Sequence, residues 1–202
     1  DYSVAGTIDN TEYDKTHADR FTVDGKSITM EEDVQFAHYD PNVASLMQLG
    51  KWFDYMRENG VYDNTRIILV ADHGRGLYLN WDRVIDNGPD TDFFFPLLMV
   101  KDFNAKGFSF SDTFMTTADV PTLATSGLID NPTNPFTGNA INANAKYDRP
   151  FYAFMSYDWD TSKNNGNQFF PGTWYRVDNQ NARDKRNWVM VGENTVLPDA
   201  LR

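Results

Sequence analysis

The sequence predicts a mixed α/β fold, and three stretches carry that prediction. Apolar residues recur at three- and four-residue steps between Val43 and Met56, the pattern of a helix packed on a sheet. A continuously apolar run follows at Arg66–Ala71, as expected of a parallel strand buried on both faces. Further along, "GTWYRV" and "NWVMVGE" flank the polar "DNQNARDKR", which predicts an antiparallel hairpin. We therefore expect an α/β fold with a mostly parallel sheet and a C-terminal antiparallel hairpin.

The composition excludes several classes of function. The 202 residues include 18 basic and 29 acidic ones, a formal net charge of −11, and no Lys/Arg cluster stands out. Because neutralising phosphates requires a concentrated basic surface, neither nucleic acid nor an anionic membrane is expected as a partner. No stretch approaches the roughly 18 apolar residues that span a bilayer, so no transmembrane segment is expected in this chain. The lack of cysteine excludes a disulfide framework, a thiolate zinc site and a cysteine nucleophile from this segment.

The first part of the chain contains signals for a hairpin and for a long helix. The stretch "VDGKS" at Val23–Ser27 is typical of a hairpin tip. Thr29 followed by Glu32 fits a capping box at the start of a helix. Pro41 is expected either to restart or to kink this helix, since proline suits a first turn and lacks an interior N–H donor. Gly60 supplies the C-terminal stop.

Later segments add two strands and a short helix. The run "FFFPLLMV" at Phe93–Val100 predicts a strand, and Pro96 within it indicates an edge position or a bulge. The stretch Thr116–Leu128 predicts a short helix, after which the composition shifts to loop residues. A final strand-like segment, Pro150–Tyr157, precedes the predicted hairpin.

Two polar side chains follow directly after the first apolar run: Asp72 and His73. In open α/β sheets, ligands bind outside the carboxyl ends of the strands, so residues placed there line a site. A carboxylate and an imidazole make half a set of ligands for zinc, manganese or magnesium, and the imidazole makes calcium less natural. The following Gly74 and Gly76 permit tight backbone passage or close approach by a substrate. Such a pair at the end of a strand is often only a hydrogen-bonded pair.

A longer stretch around this pair resembles a known family. The segment His38–Gly74, "HYDPNVASLMQLGKWFDYMRENGVYDNTRIILVADHG", is similar to the part of the alkaline phosphatase superfamily in which a long helix precedes G-x-Y-D-N-T, an apolar strand and D-H-G. It is most similar to the sulfatase branch that includes the lipoteichoic acid synthases and phosphoglycerol transferases. Downstream, "PLLMVKDF" and "FMTTADVPTLATSGL" resemble that branch's later strand and its helix with D-x-x-P-T-L. The resemblance covers Ala37–Phe136 and implies part of an alkaline-phosphatase-like α/β/α sandwich.

The resemblance also implies a metal-dependent mechanism. Such enzymes attack a phosphate or sulfate ester with a metal-activated Thr, Ser or formylglycine, and water or an acceptor alcohol resolves the covalent intermediate. Asp72 and His73 match the family's metal-ligating pair, so a divalent ion (Mn, Mg or Zn, with Ca less expected) is the implied cofactor. The family's nucleophile lies well before the helix, and no counterpart is found ahead of His38. Residues 1–202 are therefore expected to form one domain, the C-terminal portion of a larger sulfatase-like catalytic domain, and to be inactive alone.

Other residues have both a functional and a structural interpretation. His38 is a candidate substrate-binding residue at a helix kink, and Arg75 is a candidate contact for an anionic group, yet packing and surface exposure explain both. Asp119 before Pro121 is expected to cap its helix rather than to bind metal. His17 suits an exposed loop. Two threonines are better explained as turn residues than as nucleophiles: Thr7 and Thr11. Three tryptophans could line a surface for sugar or lipid-glycerol, although aromatic residues near loops and strands more often belong to the core or its rim: Trp81, Trp159 and Trp174.

Two functional hypotheses follow. The first is part of a metal-dependent sulfatase-like hydrolase or of a phosphoglycerol or phosphoethanolamine transferase, acting on sulfate or phosphate esters. The alternative is a non-catalytic domain of the same fold that binds envelope glycan, polymer or a protein partner. Because a sheet that lacks strands exposes edges and apolar faces, we expect self-association or a missing N-terminal part of the same polypeptide as a partner. The resemblance alone implies the extracellular face of a bacterial membrane, with an anchor in the full-length protein.

Overall fold

A computed structural model of the chain describes residues 22–23, 26–27, 30, 32–77, 83–156 and 170–201. These residues form both helices and strands, so the predicted mixed α/β class is confirmed. The chain divides into two compact units. Among the described residues, the first unit runs as far as Leu69 and also contains Leu77 and Met99–Phe108. The second contains Val70–Gly76 and the described residues from Arg83 onward that do not belong to the first. Each unit is described by itself.

The first described residues of the first unit are two short strands. Strand β1 (Thr22–Val23) pairs antiparallel with β2 (Lys26–Ser27), as the predicted hairpin requires, while the residues of its tip lie outside the described ones.

The long helix α1 spans Asp33–Glu58. Its capping box is formed by Glu32 and Gln35, with the Glu32 N–H donating to Gln35 Oε1 at 3.1 Å. The sequence predicted a box of Thr29 and Glu32, with Thr29 as the first residue. In the structure Glu32 is the first residue, three positions later, and Thr29 lies outside the described residues. Gly60 has a φ of +68°, the left-handed conformation that glycine adopts without steric cost, and the helix ends just before it.

Pro41 lies inside α1, so the helix does not restart there. Proline has no N–H to donate to the carbonyl one turn earlier, yet the helix continues through it. Side chains supply bonds around this turn, from Asn42 Nδ2 to the His38 carbonyl at 2.6 Å and from Ser45 Oγ to the Pro41 carbonyl at 2.8 Å.

The predicted apolar stripe of α1 is only partly buried. Of the residues on the repeat, Met56 is buried, whereas Leu46 and Met47 remain 51% and 45% exposed. The helix also buries Phe36 and Ala44, which do not belong to the repeat. The three- and four-residue repeat therefore identified the helix correctly but not which of its apolar side chains are covered.

The apolar run after α1 forms β3 (Ile67–Val70), which pairs with β4 (Leu98–Lys101). The pairing is antiparallel, since Ala71 N donates to Leu97 O at 2.9 Å while Arg66 bonds Asp102 at the opposite end of the ladder. The expectation of a strand buried on both faces is wrong for the described residues, because β3 has one neighbour and Val70 stays 45% exposed. The sheets formed by the described residues are all small and antiparallel, so the expected parallel sheet is not found among them.

The predicted strand Phe93–Val100 is shorter than its apolar run. Its first residues belong to a 3-10 turn, Thr91–Phe94, and only Leu98–Lys101 is extended into β4. Pro96 precedes the strand, where its missing N–H costs no ladder hydrogen bond.

The second unit contains the predicted short helix. A 3-10 turn at Thr117–Asp119 leads into α2 (Val120–Thr125). Asp119 Oδ2 accepts from the Thr116 backbone N–H at 2.7 Å, which completes a capping box at the 3-10 turn. Asp119 is also the N-cap residue of α2, as expected, but without a side-chain cap hydrogen bond to that helix.

A three-stranded antiparallel sheet forms the main core of this unit. Strand β5 (Phe151–Met155) pairs with β6 (Gly172–Val177), and β6 pairs with β7 (Trp188–Thr195), as the hairpin prediction required. Its buried residues are joined by partly buried apolar side chains that include Phe94, and the buried members are Ala153, Tyr175, Val177 and Trp188. No helix in the described part of the chain is long and apolar enough to cross a membrane.

Candidate functional site

The segment Ala71–Gly76, here called the ligand loop, begins where the β3–β4 ladder ends. The Ala71 N–H makes the last ladder bond, to the Leu97 carbonyl, and the chain then turns away as an irregular loop. The side chains of Asp72 and His73 project into solvent, with 88% and 70% of their surfaces exposed. The strand thus delivers both groups to the outside of the protein, where a ligand can reach them.

The two side chains lie beside each other. His73 Nε2 is 3.7 Å from Asp72 Oδ2. The other carboxylate oxygen, Asp72 Oδ1, accepts the backbone N–H of His73 at 2.9 Å. The other ring nitrogen, His73 Nδ1, is 2.7 Å from the carbonyl oxygen of Gly74. One oxygen and one nitrogen are therefore occupied locally, while Oδ2 and Nε2 face the same region.

The two glycines of the ligand loop allow it to press against the 3-10 turn Thr91–Phe94. Gly74 N donates to the Phe93 carbonyl at 2.9 Å, and a Cβ on Gly74 would lie 2.0 Å from the Asp92 carbonyl oxygen. A Cβ on Gly76 would lie 2.5 Å from the Phe93 ring. These distances support tight backbone passage, the first of the two explanations that the sequence left open.

The 3-10 turn Thr91–Phe94, which the ligand loop contacts, is held by buried residues and hydrogen bonds. Asp90 and Thr91 are fully buried, and the Asp90 carboxylate accepts the Asp92 N–H at 2.9 Å. Asp92 also forms a partly buried ion pair with Arg83. The hydroxyl of Thr91 is buried without a hydrogen-bond partner among the described residues, a feature that the sequence gave no means of finding.

Arg75 points outward from the ligand loop. Its guanidinium lies 5.7 Å from the centre of the Phe93 ring, a contact that fits a surface cation–π pair. The predicted contact with an anionic group remains a prediction.

His38 belongs to α1 in the first unit, where it is half-buried and its carbonyl accepts Asn42. Its predicted substrate contact is likewise still a prediction. Trp174 is a sheet residue, 4.8 Å from the Phe154 ring, with its indole N–H donating to the Thr195 carbonyl at 3.2 Å. The remaining candidates lie outside the described residues: Thr7, Thr11, His17, Trp81 and Trp159.

The loop between β6 and β7, residues 178–187, here called the hairpin loop, carries a group of cations that the composition did not reveal. It lines a shallow cleft of about 400 Å³ with Arg183, Lys185 and Arg186. Each cation is already paired with a carboxylate, and these pairs are Arg183 with Asp112, Lys185 with Asp86 and Arg186 with Asp184. Hydrogen bonds from the Arg186 guanidinium and backbone hold the pKa of Asp184 at about 2.

Within the described residues, no group of three or more His, Asp or Glu side chains comes close enough to hold a metal ion. Asp72 and His73 are thus a pair rather than a complete set of ligands. Comparisons with protein-family models, with curated proteins and with solved structures find no match to this chain.

Proposed function

We propose that this chain carries part of the divalent-metal site of a sulfatase-like hydrolase, or of a phosphoglycerol or phosphoethanolamine transferase, with Asp72 and His73 as two of the ligands. One observation carries it: the two side chains are both exposed and lie side by side at the end of a strand, 3.7 Å apart. The resemblance to the alkaline phosphatase superfamily supplies the reaction class.

The donor atoms fit a single cation. Bonds from zinc to histidine nitrogen and carboxylate oxygen are about 2.0 to 2.2 Å long, so one ion can reach both Asp72 Oδ2 and His73 Nε2 across their 3.7 Å separation. One oxygen and one imidazole nitrogen suit Mn, Mg or Zn better than Ca.

The bound cation would supply charge neutralisation for the transferred group and a lowered pKa for the attacking hydroxyl. Asp72 and His73 would hold that ion, Asp72 through a negatively charged oxygen and His73 through an imidazole nitrogen. A threonine, serine or formylglycine nucleophile and the remaining ligands would have to be supplied by residues other than these two.

The same proposal extends to fold and location. A larger, mostly parallel α/β/α sandwich would cover apolar side chains that each unit exposes, among them Leu46 and Met47 on α1 and Leu97 and Met99 around β4. The extracellular face of a bacterial membrane follows from the resemblance to the lipoteichoic acid synthase branch.

Manganese binding to the full chain tests this proposal. Titration with Mn²⁺ should selectively broaden the NMR signals of the His73 ring, and Asp72→Ala should abolish this broadening. Asp86→Ala is a matched control, because Asp86 is also an exposed aspartate of the second unit, 90% exposed against 88% for Asp72. Equal broadening in wild type, Asp72→Ala and Asp86→Ala would refute the metal site, as would no broadening with Mn²⁺ together with no chemical-shift change at His73 with Mg²⁺ or Zn²⁺. The non-catalytic binding domain would then be the better hypothesis.

A further inference from the structure

The bond between His73 and the next residue fixes which ring nitrogen carries the proton. The Nδ1 atom of His73 is 2.7 Å from the Gly74 carbonyl oxygen. A carbonyl oxygen can only accept, so the hydrogen bond exists only when Nδ1 carries a hydrogen. In the neutral ring, the other nitrogen then has the lone pair, and that nitrogen is Nε2.

The Gly74 carbonyl is in turn held by the backbone below it. Gly74 N donates to Phe93 O at 2.9 Å, and the bare Cα of Gly74 packs against the Asp92 and Phe95 carbonyl oxygens. A side chain at this position would force the loop away, because its Cβ would lie 2.0 Å from Asp92 O and 2.8 Å from Phe95 O. Glycine at position 74 therefore determines where the acceptor for His73 lies.

Asp72 completes the arrangement. Its Oδ1 atom is bonded to the His73 backbone N–H at 2.9 Å, which leaves Oδ2 as the carboxylate oxygen facing Nε2. The Gly74 carbonyl is the group that bonds the other ring nitrogen, and a partner at that nitrogen fixes the tautomer and the orientation of a metal-binding histidine.

We infer that Gly74 is a positioning residue, whose carbonyl selects the Nδ1–H tautomer of His73 and so presents the Nε2 lone pair beside Asp72 Oδ2. The ligand that this selection would serve is a divalent cation, and in that respect the inference rests on the proposed function. The tautomer itself does not depend on any bound metal.

Long-range ¹⁵N–¹H correlation spectra of the uniformly labelled full chain, without metal, test the tautomer directly. We expect the ratio of Nδ1–H to Nε2–H forms at His73 to exceed that at His38 by roughly 2- to 10-fold, the effect of one ordinary hydrogen bond. His38 is a suitable internal reference, because no hydrogen bond to its ring is found in the described part of the chain. His73→Gln and His38→Gln identify the two sets of signals.

Two glycine variants separate positioning from simple packing. Gly74→Ala should bring the His73 ratio to that of His38 and lower Mn²⁺ affinity by about 10-fold. Gly76→Ala also creates a clash, but with the Phe93 side chain, 2.5 Å from the added Cβ, and it should leave the His73 ratio unchanged.

Equal tautomer ratios at His73 and His38 in the wild type would overturn the inference, as would an unchanged ratio in folded Gly74→Ala. If Gly74→Ala fails to fold, the wild-type comparison alone decides. A wild type with the expected tautomer that binds no metal would refute the proposed function and leave the role of Gly74 intact.

Discussion

The ligand loop and the hairpin loop each contain an aspartate that accepts a nearby backbone N–H, yet the two carboxylates are used differently. Asp184 Oδ1 accepts the Arg186 N–H, and its two oxygens also hold the Arg186 guanidinium at 2.6 to 3.1 Å. Asp72 Oδ1 accepts the His73 N–H, and the group facing its second oxygen is an imidazole 3.7 Å away. Among the described residues, no lysine or arginine is paired with Asp72.

This difference separates a structural carboxylate from a candidate ligand. A carboxylate bonded by a guanidinium has its charge satisfied within the loop, as the low pKa of Asp184 shows. A carboxylate that keeps one oxygen exposed beside an imidazole has a place for a cation. Proximity of acidic and basic groups alone does not distinguish the two loops, since both contain such pairs.

The loops also differ in how they are attached to the core. In the hairpin loop, the buried Trp188 donates its indole N–H to the Ala182 carbonyl at 2.8 Å. The ligand loop rests on the turn Thr91–Phe94, and the Phe94 ring packs 5.0 Å from the Trp188 ring. Both loops of the second unit therefore depend on the same aromatic core, one directly and the other through Phe94.

The largest effect is expected from removing the Trp188 side chain, which contacts both the hairpin loop and the Phe94 ring. Trp188→Ala should lower the free energy of unfolding by about 3 to 5 kcal/mol, since it removes a large buried aromatic side chain. Urea denaturation followed by far-UV circular dichroism measures the loss. Trp188→Phe keeps much of the ring volume and should lose distinctly less. A loss below about 1 kcal/mol in Trp188→Ala, the range of an ordinary substitution, would show that the sheet does not carry the core.

A smaller effect of opposite sign is expected in the turn below the ligand loop. Thr91→Val replaces a fully buried hydroxyl that has no partner in the described residues with a methyl group of similar shape. Because the desolvation cost of that hydroxyl disappears, the free energy of unfolding should rise by about 1 kcal/mol. Thr91→Ser, which keeps the hydroxyl and removes the methyl group, is the control and should be destabilised. Destabilisation by Thr91→Val would mean that the hydroxyl has a partner after all.

The smallest effect is expected from the carboxylates themselves. The pKa of Asp184 is about 2 in the folded protein against an ordinary value of 3.8, so its contribution to stability is present above about pH 3.8 and is lost as the pH falls towards 2. Asp184→Asn should therefore be less stable than wild type at neutral pH, and the difference should shrink across this window. Urea denaturation at several pH values measures it.

Asp72→Asn is the counterpart in the ligand loop. Because the Asp72 side chain is exposed, this substitution should change stability at neutral pH by less than about 0.5 kcal/mol. A stability loss in Asp72→Asn as large as that in Asp184→Asn would remove the distinction between the two loops.

Local signals in the sequence predicted many of the elements. Gly60 with its left-handed φ and the polar stretch between β6 and β7 both act through neighbouring residues, and each lies where it was expected. The position of the candidate pair was predictable in the same local sense, because Asp72 and His73 are adjacent in the chain and follow an apolar strand.

The sequence did not predict which strands pair with each other or which apolar side chains are buried. An apolar run is compatible with a parallel or an antiparallel neighbour, and the run Ile67–Val70 pairs antiparallel with Leu98–Lys101. The apolar run at Phe93 looked like one strand, but its first part forms the turn on which the ligand loop rests. Likewise, the periodicity of α1 gave no indication that Leu46 and Met47 stay exposed.

The sequence by itself determined the elements whose signals are short in range: the helix stop at Gly60, the helices and the C-terminal hairpin. Tertiary structure decided which strands pair, which apolar faces are covered, and that Gly74 packs against two carbonyl oxygens while its own carbonyl accepts His73. The physical reason is that capping and turn formation depend on bonds between residues a few positions apart. Burial and close packing depend instead on contacts between residues brought together from distant parts of the chain.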